Sequence, residues 1–186
     1  MRKSDRRTTL ILMGSARTDG DTAAGAEHLS SLCTPGGKVI ALAPMALGSF
    51  NYARAPDDDF LLVATEIAGY DRIVLATPLY WYAMSGVMKT FFDRLTDLLV
   101  VPAKRPLGRA LAGREVWALV VGTDPEPPVG LAEPFKLTAS YFDMIWRGAC
   151  YARSNRHGGI ADDQLARIAE LAAQMNATAA PTGRAP

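Results

Sequence analysis

Five short apolar runs, each followed by a stretch of helical spacing, set the strongest limit on what this chain can fold into. The runs are Thr8–Met13, Lys38–Leu42, Arg72–Ala76, Glu115–Val121 and Met144–Tyr151. Helical spacing follows in Ala26, Leu29, Leu32 and Cys33, then in Phe60, Val63, Ala64 and Ile67, then along Val87–Leu99, Leu131–Phe142 and Asp162–Met175. Runs without polar alternation are buried on both faces, and helices that alternate with them supply the covering layers. The pattern predicts an α/β fold: a five-stranded parallel sheet in the order 2-1-3-4-5 between two helical layers. At 186 residues, 49% of them hydrophobic, the chain can bury a sizeable core. No repeat or linker divides it, so residues 1–186 read as one domain with loose tails at 1–7 and 177–186.

Charge and composition exclude several functions. A net charge of +1, with no basic stripe interleaved with aromatics, gives nucleic acid no footing. No apolar run approaches the ~18 residues of a membrane span. Arg2, Lys3, Arg6 and Arg7 precede Leu10–Met13, but that run is shorter than the ~7–15 residues of a signal-peptide core. Cys33 and Cys150 read as buried free thiols, which suits a cytoplasmic protein. His28 and His157 stand without metal-ligand neighbours, so a surface role and no metal site are expected.

Open sheets of this order bind ligands beyond the carboxyl ends of their strands, where strands one and three diverge. Two unusual loops fall at that point. The first is Gly14-Ser15-Ala16-Arg17-Thr18-Asp19-Gly20-Asp21-Thr22, which opens a helix. Its glycines let backbone curl closely around an anion, and free N–H groups face outward at the positive end of the helix dipole. Ser15 and Thr22 add hydroxyls and Arg17 a fork of donors, although both hydroxyls would also serve as simple helix caps. The loop is neither a Walker motif nor a dinucleotide fingerprint, so a mononucleotide phosphate is the economical ligand.

The second loop is Pro78-Leu79-Tyr80-Trp81-Tyr82, read as a proline turn leading into a long amphipathic helix. Three aromatics in a short loop suit either a flat, partly apolar ligand or packing at the strand end or a subunit contact. The helix stripe is Val87, Met88, Phe91, Phe92, Leu95, Leu98 and Leu99, with Lys89, Asp93, Arg94 and Asp97 lying away from it. Pro102–Gly113 reads as a basic loop, and Gly122-Thr123-Asp124 would border the other side of a ring held by the second loop.

Gly-Ser-x-Arg-x-x-Gly-x-Thr after the first strand resembles the NADPH-dependent FMN reductase family of flavodoxin-like proteins. So does Thr-Pro-x-Tyr-Trp-x-x-x-Ser-Gly-x-x-Lys-x-x-x-Asp-Arg after the third. The resemblance implies a flavodoxin-like three-layer sandwich that binds FMN noncovalently. The phosphate would lie on Ser15, Arg17 and Thr22, close to Asp21, and the ring over Pro78, Leu79, Tyr80 and Trp81, bordered by Gly122 and Thr123. It implies an oxidoreductase that takes hydride from NADPH or NADH and reduces a small-molecule acceptor: a quinone, a nitro or azo compound, a metal ion or free flavin. It also implies a homodimer or higher homo-oligomer. The flavin would carry the chemistry, so no catalytic side chain is expected. An FMN electron carrier without NAD(P)H turnover, and a scaffold that has lost FMN, are the alternatives; the near-neutral charge disfavours the carrier.

Three departures from the family pattern stand out. Asp21 replaces the usual Asn, and a carboxylate beside a phosphate repels it unless it turns away. Leu47–Ala53 holds no cysteine, which excludes an iron–sulfur cluster there. Pro125, Pro127 and Pro128 stiffen the loop after strand four. Arg105, Arg109 and Arg114 are the candidates, by position, for a nucleotide 2′-phosphate.

Overall fold

The computed structural model describes residues 7–53, 57–155 and 157–177. Six strands form in chain order: β1 (Thr9–Met13), β2 (Lys38–Ala41), β3 (Arg72–Tyr80), β4 (Ala83–Met84), β5 (Glu115–Gly122) and β6 (Ile145–Arg153). The helices are α1 (Asp21–Leu32), α2 (Phe60–Gly69), α3 (Gly86–Arg94), α4 (Asp97–Val100), α5 (Arg105–Arg109), α6 (Glu133–Tyr141) and α7 (Asp162–Ala177). The sheet runs β2-β1-β3-β5-β6, all parallel, with the short β4 paired antiparallel to the end of β3. This is the expected order, with one hairpin strand added.

β1 and β5 are buried along their whole length, so their side chains feed two separate cores. Leu10, Leu12, Ile73, Leu75, Val116 and Ala118 pack with Phe60, Phe91 and Phe135 on one face. Ile11, Met13, Val74, Trp117 and Leu119 pack with Leu29, Ile168 and Leu171 on the other. Period-two alternation of apolar with apolar thus places helices on both faces, which is why these strands carry no polar rhythm. Cys33 is buried, but Cys150 is only half-buried; burial raises the pKa of each thiol.

The expected long helix after Tyr82 is broken. α3 stops at Arg94, tight turns at Leu95 and Thr96 follow, and α4 restarts at Asp97. The break serves a buried charge. Arg94, placed away from the apolar stripe by its period, has no exposed surface. It donates to both Asp58 carboxylate oxygens, to the Gly48 carbonyl at 3.0 Å and to Asp97 at 2.9 Å. Its guanidinium also lies 4.7 Å from the centre of the Phe60 ring. Asp58 and Asp59 in turn accept from the Gly48 and Ala46 amides, which holds the long connection after β2 against the body. Lys89 and Asp93 are the exposed pair expected of a helix surface, 2.5 Å apart. The stretch expected to be a basic loop is folded too, as a 3₁₀ turn at Pro102–Lys104 followed by α5.

The amino edge of the sheet is stitched by arginines. Arg72 is buried and donates to three carbonyls: Met175 at 2.6 Å, Arg7 at 2.5 Å and Thr34 at 3.1 Å. Arg7, expected in a loose tail, is instead buried and lies 2.6 Å from the buried Glu115, which also takes Arg147. The rest of that expected tail, and residues 178–186 of the other, lie outside the described residues. Arg114 donates to the Tyr70 and Ala68 carbonyls at the end of α2. Arg105 and Arg109 line a cleft with Tyr141, Phe142 and Asp143, just before β6 begins. All three candidates for a 2′-phosphate therefore sit at the amino edge, opposite the loops that follow β1 and β3.

Two outcomes follow from the Arg94 cluster. Arg94→Met keeps the volume but leaves two buried carboxylates without their central cation, and should lower stability in urea by about 3 kcal/mol. Burial pushes the Asp58 pKa up, but hydrogen bonds from Arg94 and from the Gly48 and Phe60 amides outweigh it and hold the carboxyl below its ordinary value. Its contribution is therefore complete above the unfolded pKa of about 4 and is lost as pH falls through the folded value. Asp58→Asn should flatten the acid limb of a stability curve measured by urea unfolding from neutral pH downward.

Candidate functional site

Four loops meet at the carboxyl edge, after β1, β3, β5 and β6. β1 hands over to the first loop at Gly14, whose N–H donates to the Ala76 carbonyl at 2.8 Å. A side chain there would put Cβ only 2.7 Å from Met88 Cβ, so the close approach of α3 requires glycine. Ser85, the N-cap of α3, fixes that approach. Its hydroxyl donates to the Gly14 carbonyl and accepts from the Met88 N–H at 3.1 Å. Its own N–H donates to Thr77 Oγ1 at 3.0 Å. One buried serine thus joins the first loop, β3 and α3.

In the first loop Ser15 and Thr22 are buried, and Ser15 Oγ accepts from the Arg17 N–H at 3.2 Å. The N-cap of α1 is Gly20, which has no side chain to satisfy the amides of the first turn. Amides left uncapped at a helix start are donors of the kind an anion site uses. Arg17 stands exposed and paired with Asp19 at 3.1 Å. Their hydrogen bond raises the guanidinium pKa and lowers the Asp19 pKa. The Gly14 N–H to Ala76 carbonyl bond and the Ser85 hydroxyl on the Gly14 carbonyl bring the first loop beside the end of β3 and the hairpin that follows. Asp21 does turn aside: its Oδ1 accepts from the Gly159 N–H at 2.7 Å.

The second loop is a β-hairpin, not a proline turn. β3 continues through Pro78, which pairs in register with Val121. Ala76 faces β1, so Pro78, two residues on, turns its nitrogen to the same side, where β1 has already ended at Met13. No ladder bond is lost. Leu79 pairs with Met84 and Tyr80 with Ala83, leaving Trp81 and Tyr82 as a two-residue turn. Both have positive φ, 49° and 66°, as a type I′ turn demands. Trp81 is 93% exposed and Tyr82 70%.

The third and fourth loops close the rim. Gly122 is buried, and a Cβ there would meet Tyr151 Oη at 2.6 Å and Leu79 Cβ at 3.0 Å. Pro78, Leu79 and Gly122 thus form a packed floor, while Tyr80, Trp81 and Thr123 remain exposed above it. Tyr151 Oη donates to the Asp124 carbonyl at 2.9 Å, and burial raises its pKa. After β6 an isolated antiparallel bridge between Ser154 and Ile160 closes a short loop carrying Gly158 and Gly159, both at φ 91°. Thr77 and Ser85 stand in the second motif but sequence reasoning gives them no role, and it places neither this loop nor Tyr151 at the site. The Gly158-Gly159 pair was a turn signal, but nothing local pointed to its partner 138 residues away. Among the described residues no three His, Cys, Asp or Glu side chains gather as a metal set, and no helix is long and apolar enough to cross a membrane.

A glycine-capped helix start beside an aromatic hairpin, at the switch point of a 2-1-3 sheet, lies where flavodoxin-like folds bind their ligands. The chain belongs to the NADPH-dependent FMN reductase family, whose model matches residues 8–181. A curated protein of Bacillus subtilis (strain 168), YwqN, provisionally named an NAD(P)H-dependent FMN-containing oxidoreductase, is 28% identical over 115 residues. That match covers 61% of this chain and 64% of the relative, just under two thirds of its length. Among solved structures, the Trp repressor binding protein of Bacillus subtilis superposes with a TM-score of 0.72 at 21% identity, covering 96% of this chain and 100% of that one. General stress protein 14 of Treponema denticola, in complex with FMN, gives 0.60 at 22%, covering 91% and 97%. At these identities the likeness is one of fold. FMN is the cofactor of the family, and the residues present fit it: uncapped amides, the hydroxyl-bearing buried Ser15 and Thr22 and a guanidinium match a phosphate monoester, with the Tyr80 hairpin on the adjacent strand.

Type I′ turns favour Asn-Gly, and other residues cost roughly 1–2 kcal/mol each in left-handed backbone. Trp81→Asn with Tyr82→Gly should therefore stabilise the chain by about 1–2 kcal/mol in urea, since the rings lost bury little surface.

Proposed function

We propose that this chain is an FMN-dependent oxidoreductase that takes reducing equivalents from NADPH or NADH and delivers them to a small-molecule acceptor. Quinones, nitro and azo compounds, metal ions and free flavin are the candidate classes. The observation that carries the reading is the glycine-capped start of α1, with Ser15 and Thr22 buried beside it, next to the Tyr80 hairpin on the adjacent strand. Family membership and the name of the curated relative support the activity.

In this reading Ser15, Thr22 and the first-turn amides of α1 hold the phosphate by hydrogen bonds, and Arg17 exchanges its partner Asp19 for it. Pro78 and Leu79 with Gly122 form the floor, Tyr80 and Trp81 offer aromatic faces, and Thr123 borders the far side. Exposed backbone N–H groups in the second and third loops are the donors available to negative charge that develops over the floor. Bound FMN supplies the hydride and electron-transfer chemistry itself. The protein's tasks are then holding, orientation and exclusion of water, which need no acid–base side chain. We place the protein in the cytoplasm, where Cys33 and Cys150 stay reduced. We assign it a homodimer or higher homo-oligomer, in keeping with the exposed Trp81 and Tyr82.

Anaerobic absorption spectroscopy tests the reading. The purified protein should bind FMN one to one, turn yellow, and bleach on addition of NADPH or NADH. Bleaching by dithionite alone would instead make it an electron carrier, and failure to bind FMN would remove both readings. Ser15→Ala combined with Thr22→Val should weaken FMN binding at least tenfold, about 1.4 kcal/mol, in a fluorescence-quenching titration.

A further inference from the structure

The loop after β6 sits against the start of α1, and two contacts hold it there. Asp21, the first residue of α1, accepts the Gly159 N–H at 2.7 Å. One turn further along α1, Gly25 faces the same loop: a Cβ at that position would lie 3.3 Å from Ile160 Cδ1, so the helix approaches Ile160 closely. Within the loop, the Asn155 N–H donates to the Gly159 carbonyl at 2.9 Å and the Gly158 N–H to the Asn155 carbonyl at 3.0 Å. Asn155 is thus bonded to both Gly158 and Gly159, and among the described residues the side-chain hydrogen bond that ties this segment to α1 is the one to the Asp21 carboxylate.

We propose that Asp21 is a positioning residue that links occupancy of the anion site to the order of residues 158–160 after β6. The proposal rests on the FMN reading above. An anion bound by the first turn of α1 fixes the backbone of Asp21 and, with it, the direction of the carboxylate. The same anion repels that carboxylate, which drives it toward the Gly159 N–H and away from the phosphate. Repulsion and tether thus act in one direction, and a residue that looks hostile to phosphate becomes part of the wall around it. The link is reciprocal: what the anion does for the loop, the loop does for the anion.

Two variants separate charge from tether. Asp21→Asn removes the charge but keeps an Oδ1 acceptor for Gly159, whereas Asp21→Ala removes both. Both lack the repulsion; because the Asn amide can also donate to the phosphate, their difference in FMN affinity is read together with exchange at the Gly159 amide, which reports the tether. We expect the Ala variant to bind FMN at least fivefold more weakly than the Asn variant. Hydrogen exchange of peptides covering 154–161 supplies a second readout, taken on the full chain without FMN and then with it. In the FMN-free protein, exchange at the Gly159 amide should speed up at least fivefold in Asp21→Ala and be restored in Asp21→Asn. Added FMN should slow exchange of this segment in the native and Asn proteins and much less in the Ala protein. Equal FMN affinities for the two variants, or equal slowing by FMN in all three proteins, would overturn the proposal. Native protein that binds no FMN but shows the tether in exchange would instead sink the FMN reading and, with it, the link to occupancy.

Discussion

The hydroxyl of Ser85 is the contact on which the site depends. It caps α3 and donates to the Gly14 carbonyl, while the backbone N–H of the same residue donates to Thr77 Oγ1. The consequence is geometric. Gly14 lies so close to Met88 that no side chain fits between them, and the first loop must leave β1 at that contact. The start of α1 and the hairpin after β3 are therefore placed by one buried polar group and not by the loops themselves. A buried hydroxyl with every partner in place is worth more as a constraint than as energy, because each alternative arrangement leaves a carbonyl or an amide unpaired.

The two edges of the sheet use charge differently. At the amino edge, Arg72, Arg114 and Arg7 spend their guanidinium groups on backbone carbonyls and on Glu115, fastening both ends of the described chain to the sheet. Burial lowers the Arg72 pKa, yet three carbonyl partners keep the cation in place. At the carboxyl edge Arg17 and Asp19 remain exposed and exchangeable. A pair in water is worth little, so giving up Asp19 for a phosphate costs little.

The sequence made the sheet legible because strands buried on both faces must be continuously apolar, and helices at their own period must follow. The switch point was legible for the same reason: once the order 2-1-3 is set, the loops after Met13 and Ala76 have only one place to be. What stayed hidden depended on partners far along the chain. Arg94 falls on the polar side of its helix by period, and it turns inward to the Gly48 carbonyl and the Asp58 side chain, 46 and 36 residues away, as well as to Asp97. Arg7 reads as a tail until Glu115 is seen beneath it, and Pro78 reads as a stop until β1 is seen to end two residues short of it. Arg105, Arg109 and Arg114 were placed near the site by chain position alone, which says nothing of which edge a helix connection returns to.

The rim itself was built before any ligand. Tyr151 fixes the Asp124 carbonyl, Ser85 fixes Gly14, Asp21 fixes Gly159, and the hairpin holds Trp81 and Tyr82 in a backbone that favours neither. Left-handed aromatic residues at an exposed tip are costly to a free chain and persist only where neighbouring structure over-determines them. Here the determining structure is the two-pair ladder between β3 and β4, closed at its base by Thr77 and Ser85. The strain at the tip and the serine at its base belong to one device: the base ties the position of the first loop to the aromatic hairpin, so that in the proposed reading phosphate and ring would meet parts of one unit. Rigidity of this kind lowers the ordering cost of binding, and it is the means by which a short, exposed hairpin can present flat faces at a fixed distance from an anion site.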